Sequence, residues 1–95
     1  MTKETLVQAL QAEGLKVSND GVSIPEARDA SFMVAGPGEN VQVGKVTKVE
    51  LRENVICFET AKSERYWFTY DLVLGLRICT AEAAKERKER AGFSR

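Results

Sequence analysis

The stretch from Val46 to Tyr70 constrains this chain more than any other, because two independent patterns in it agree on one strand register. If Glu53-Asn54 is a two-residue turn, Leu51 faces Ile56 and Val49 faces Phe58, while on the other side Glu50 meets Cys57 and Lys48 meets Glu59. If 60–64 form the next connection, Glu59 faces Arg65, Phe58 faces Tyr66 and Ile56 faces Phe68. Side chains alternate between the faces of a strand. One face therefore becomes Leu51–Ile56–Phe68 beside Val49–Phe58–Tyr66, an apolar aromatic layer, and the other carries Lys48–Glu59–Arg65 with opposite charges adjacent. A slip of one residue would drive those charges into the core. The pattern predicts three consecutive antiparallel strands over 46–70, with Leu51, Ile56, Phe58 and Phe68 in one buried layer.

The flanking segments supply the rest of the architecture. Thr2 is placed to cap a helix, Glu4 complements its dipole, and Leu6, Val7 and Leu10 follow at helical spacing before Gly14. This predicts a helix over 3–13. Leu15–Ser18 and Val22–Ile24 alternate around Asn19-Asp20-Gly21, which reads as a short hairpin ended by Pro25. The polar stretch 26–31 reads as loop, Phe32–Ala35 as strand, and Gly36-Pro37-Gly38 as a turn. Asn40–Arg52 reads as one run bent by a bulge near Gly44, where the apolar phase shifts. Leu72, Leu74, Leu76 and Ile78 alternate as a strand; Thr80 then caps a helix to about residue 91, stopped by Gly92, whose apolar positions are all alanine. The expected fold is α+β and mainly β: a small antiparallel meander curled into a barrel or roll of SH3-like size, with an N-terminal helix and a charged C-terminal helix. Residues 1–80 form a single globular domain, with strands within 15–79, and 81–95 form the charged C-terminal helix or tail.

The chain contains no histidine, which removes Ser-His-Asp and Cys-His catalysis, histidine metal ligands and a histidine pH switch. Cys57 and Cys79 are too few for a disulfide framework or a four-sulfur zinc site, and read as buried thiols of a reducing, cytoplasmic setting. The N-terminal residues lack the apolar block of a secretory signal, and the longest apolar runs are far too short to cross a bilayer. The segment from Gly38 to Val46 brushes against a phosphate loop. It fails because five residues separate its glycines and Val46 stands where a hydroxyl must reach magnesium. Among the carboxylates, Glu50, Glu59 and Asp71 lie within the sheet and read as solvated partners of Lys or Arg. No cofactor and no metal are expected, and the chain reads as non-enzymatic.

What remains is a binding surface. Five of the seven aromatic residues lie between Phe58 and Tyr70, interleaved with basic residues. Tyr66 and Phe68 point inward in the predicted register, which leaves Trp67 beside Cys57 and Val55 on the second face, where the N-terminal helix is expected to cover it through Leu6 and Leu10. Trp anchors interfaces when left open. Formal charge cancels overall, yet 1–39 carry three basic and six acidic residues whereas 80–95 carry five and three. The candidate surface therefore comprises Trp67, Tyr70, Lys48, Arg52 and Arg65, with the basic positions Lys85, Arg87, Lys88 and Arg90 of the tail. The expected function is a small adaptor or regulatory protein that binds a protein partner, self-association into a homo-oligomer being one form of this. The alternative is a small-barrel module for RNA or single-stranded DNA, built on the aromatic and basic strand residues. No membrane partner is expected.

Overall fold

In the computed structural model, which describes residues 1–80, the chain forms a helix α1 (Lys3–Ala12) and strands β1 (Gly21–Ser23), β2 (Arg28–Ala35), β3 (Asn40–Val43), β4 (Val46–Leu51), β5 (Val55–Thr60), β6 (Arg65–Thr69) and β7 (Val73–Thr80). A single 3-10 turn, Tyr70–Leu72, joins β6 to β7. The strands make two antiparallel sheets, β1-β4-β5-β6 and β3-β2-β7. Among the described residues they do not close into a hydrogen-bonded barrel. The C-terminal helix expected from 81 to 91 lies outside the described residues, and Thr80, read as its cap, ends β7 instead.

The meander has the register that its two patterns predict. Leu51 pairs with Ile56, Val49 with Phe58, Glu50 with Cys57 and Lys48 with Glu59; then Ile56 pairs with Phe68, Phe58 with Tyr66 and Glu59 with Arg65. Val49, Leu51, Ile56 and Phe58 are buried, and Phe68, on the edge strand β6, is half-buried. The second sheet offers Ala30, Phe32 and Val34 to the same core. The layers meet at Phe32 and Phe58, whose rings stack.

Helix α1 forms as capping predicts. Thr2 Oγ1 accepts from the Thr5 amide at 3.1 Å, and Gly14 ends the helix with φ of 81°. Its Leu6 and Leu10 are wholly buried in the inter-sheet core, so the helix covers the inner layer and not the second face of the meander.

Three local expectations are corrected. The hairpin over 15–24 does not form. The turn is there, with Ser18 N–H donating to the Gly21 carbonyl, but Gly21–Ser23 pairs with Glu50–Lys48 of β4 and not with 15–18. Residues 28–31, read as loop, begin β2: Ala30 faces the core while Asp29 and Ser31 lie on the outer face, pairing with Cys79 and Arg77 of β7. The run 40–52 is two strands in different sheets. Gly44-Lys45 is the corner between them, with the left-handed φ of 52° on Lys45.

Candidate functional site

Four of the sequence-predicted residues come together on the outer face of the β1-β4-β5-β6 sheet. Period-two alternation puts Lys48 and Glu50 of β4, Cys57 and Glu59 of β5, and Arg65 and Trp67 of β6 on that face, with Arg52 just beyond β4. Glu50 is the hub. Its two carboxylate oxygens accept separately, one from Arg52 and one from Arg65, the latter at 2.7 Å. Arg65 starts from the edge strand and reaches across β5 to β4, so its guanidinium passes over Cys57, which is 1% exposed.

Arg65 also engages the aromatic residue two positions along. Its guanidinium carbon lies 5.5 Å from the centroid of the Trp67 ring, a cation–π geometry. A hydrogen bond and electrostatic attraction to Cys57 raise the Arg65 guanidinium above its ordinary range; desolvation opposes this, and Glu50 and Glu59 add to it. An arginine is in any case charged at neutral pH. Trp67 keeps 49% of its surface exposed, because β6 is the sheet edge and, among the described residues, no element covers that side of it.

The charge ladder Lys48–Glu59–Arg65 is adjacent in register, yet the ion pairs run elsewhere. Arg65 is long enough to reach the half-buried Glu50 diagonally across β5, and pairs there although Glu59 is its register neighbour. Tyr70 is not part of the surface. It is buried, and its hydroxyl donates to the Arg52 carbonyl at 2.6 Å, tying the 3-10 turn to the β4–β5 turn. Burial raises that hydroxyl above its ordinary range. Lys85, Arg87, Lys88 and Arg90 lie outside the described residues.

Alternation missed the role of Glu50, read in sequence only as a solvated partner. The signal was present: a carboxylate two residues from Arg52, which follows its own strand, and in the same meander as Arg65. Asp71 stands on the 3-10 turn, outside the strands that carry Glu50 and Glu59. Among the described residues no group of three or more acidic or thiol side chains is placed to hold a metal, and no helix is long and apolar enough to cross a membrane. Both cysteines are free thiols, Cys57 buried in one sheet and Cys79 half-buried in the other. No protein-family model, no curated protein and no solved structure matches the chain.

Proposed function

We propose that this protein is a non-enzymatic adaptor or regulatory module, and that the Trp67 end of its outer sheet face binds a protein partner. The observation that carries the reading is a half-exposed tryptophan on an edge strand, flanked by an arginine that an internal carboxylate holds in place. An aromatic anchor beside a pre-oriented guanidinium is the composition of an interface hot spot. Both side chains meet a partner with part of their conformational entropy already lost.

The charge pattern favours protein over nucleic acid. The face carries Lys48, Arg52 and Arg65 against Glu50 and Glu59, and Glu50 already spans two of the three cations. A phosphate backbone is bound by a run of uncompensated cations, whereas a protein surface of mixed charge matches a mixed face. The nucleic-acid reading keeps one support, the Trp67 ring with its adjacent arginine, which is a stacking platform in miniature. A cytoplasmic setting accords with the two free thiols.

The test uses the intact chain as bait in its own cell extract, with and without nuclease, beside a Trp67→Ala variant. A protein partner recovered by the parent chain, lost on Trp67→Ala and insensitive to nuclease supports the reading. Recovery that depends on nucleic acid transfers the function to the alternative. Recovery that ignores Trp67 removes this face from recognition.

A further inference from the structure

Two strand edges look at each other across one groove. Among the described residues strand β3 is paired only with β2, and β6 only with β5, so each presents a row of backbone groups without a strand partner there. Between them lies a groove of about 400 Å³, walled by Val41 and Val43 on one side and Tyr66 and Phe68 on the other. All four stand on the inner faces of their sheets, since they pair with Val34, Phe32, Phe58 and Ile56 respectively. The groove is therefore the flank of the core that the described residues leave open. It is closed at one end, where the Ala61 amide donates to the Lys45 carbonyl at 2.9 Å and joins the β5–β6 loop to the β3–β4 corner. Val41 remains 46% exposed and Tyr66 39%, although alternation assigns both to the inside.

Proteins blunt open edges with proline, charged side chains or bulges; β3 reads Asn-Val-Gln-Val with none of these, and β6 reads Arg-Tyr-Trp-Phe-Thr with a single charge, Arg65, at its first position. Resting on the protein-binding reading above, we propose that the groove takes an extended segment of the partner as a strand added to β6, and that this segment alternates apolar and acidic side chains. Strand addition supplies backbone hydrogen bonds along β6, while the side chains set specificity two by two. Those pointing inward meet Val41, Val43, Tyr66 and Phe68, so they are apolar. Those pointing outward meet Arg65, the only charged residue of β6, on a face where Glu50 already pairs with Arg52 and Arg65, Lys48 stands opposite Glu59, and cations outnumber carboxylates by one. Acidic side chains complement that face and lysines are repelled by it.

The same geometry separates the occupant from a second copy of this chain. The β6 of a second copy arrives already paired to its own β5, which needs the side of the groove where β3 stands. An isolated segment, with both edges free, has no such neighbour to place.

The test titrates the intact protein with the capped peptide Val-Glu-Val-Glu-Val-Glu-Val and with its counterpart carrying lysine for glutamate. Trp67, the only tryptophan of the chain, reports by fluorescence, and amide hydrogen exchange reads 65–69. The glutamate peptide is expected to bind about three- to tenfold more tightly than the lysine peptide, the range that opposite versus like cross-strand charges imply. It should slow exchange along β6. Arg65→Glu should reverse the order of the two peptides, and Val41→Asn, at an exposed wall position, should weaken both while leaving the melting transition in place. Four results overturn the proposal: equal affinity for both peptides, a fluorescence change without amide protection, competition by oligothymidine, or a dimer in sedimentation that Val41→Asn dissociates. If a partner in extract still depends on Trp67 while neither peptide protects β6, strand addition fails and the protein-binding reading stands. If partner recovery ignores Trp67, that reading fails whatever the peptides do.

Discussion

The ring of Phe32, on β2, lies against the ring of Phe58, on β5, with centroids 4.3 Å apart and planes inclined by 29°. It is the point at which the two sheets become one core, since each residue belongs to a different sheet and both are wholly buried. Phe68 leans on the same cluster, 5.9 Å from Phe58. Truncating either ring of the stack leaves a void that neither sheet can collapse into without moving a whole strand. Phe58→Ala should cost about 3–5 kcal/mol in denaturant unfolding, a large part of the roughly 5–15 kcal/mol that holds such a domain. Phe32→Ala should cost a similar amount. The double variant should lose less than the two losses combined, because the aromatic pair itself carries about 0.5–1.5 kcal/mol. Strict additivity would show that the rings do not cooperate.

Two glycines separate conformational strain from steric contact. Gly14 and Gly21 both have positive φ, 81° and 150°. A methyl group at Gly14 meets open space, whereas one at Gly21 would come within 2.0 Å of the Val49 carbonyl oxygen, on the strand that β1 pairs with. Gly14→Ala should therefore cost about 1 kcal/mol, from the left-handed backbone alone. Gly21→Ala adds a backbone clash and should cost about 2–4 kcal/mol, with loss of the β1–β4 pairing. Thermal melts of the two variants check the order, and equal losses would mean that β1 is free to shift.

How much of this was legible in sequence depended on whether a local pattern had only one solution. The register of 46–70 was legible because charge and hydrophobicity each rejected a one-residue slip, and the strands pair with their sequence neighbours. Strand β2 was hidden because its first inward residue is Ala30, small and a poor strand former, between the polar Asp29 and Ser31. In sequence the corner at Gly44-Lys45 is indistinguishable from a bulge because both features interrupt the alternation, and only the assignment of β3 and β4 to different sheets separates them. The same period two that puts Phe68 inside also puts Tyr70 inside, so its burial was available from the alternation, against its place among the surface candidates. The exposure of Trp67 was not available. Whether a second sheet face is covered depends on where a distant helix packs, and α1 chose the inner layer.

Tyr70 provides the pH dependence. Its hydroxyl reaches the Arg52 carbonyl at 2.6 Å, so Tyr70→Phe should cost about 1 kcal/mol at neutral pH while keeping the packing of the ring. Burial raises the hydroxyl above the value of about 10 that it has in an unfolded chain. The folded state holds the proton more firmly, so its contribution is fully present below pH about 10 and is lost as pH rises through the folded value. Denaturant midpoints from pH 8 to 11 should fall more steeply in the parent protein than in Tyr70→Phe. Parallel curves would show that the hydroxyl is as free in the folded protein as in the unfolded chain.

The last prediction uses the roof over Cys57. The thiol is 1% exposed, lies between Glu50 and Trp67 in register, and has the Arg65 guanidinium passing above it to Glu50. Cys79, on the outer face of β7, is half-buried. A disulfide reagent added to the folded protein should therefore modify Cys79 first. Cys57 should react only as the protein opens, at a rate that tracks its stability. Removing the roof changes this without touching the core layer. Arg65→Ala breaks an exposed ion pair that contributes little to stability, yet it uncovers the sulfur, and Cys57 modification should accelerate by far more than that small loss of stability explains. A rate that rises only in proportion to the fraction unfolded would show that β5 and β6 shield the thiol by themselves. Trp67→Ala provides the complementary measurement: it removes the ring on which Arg65 rests but leaves Glu50 to hold the guanidinium. It should raise the rate less than Arg65→Ala does, because the carboxylate at 2.7 Å, rather than the ring at 5.5 Å, fixes the arginine over the cysteine.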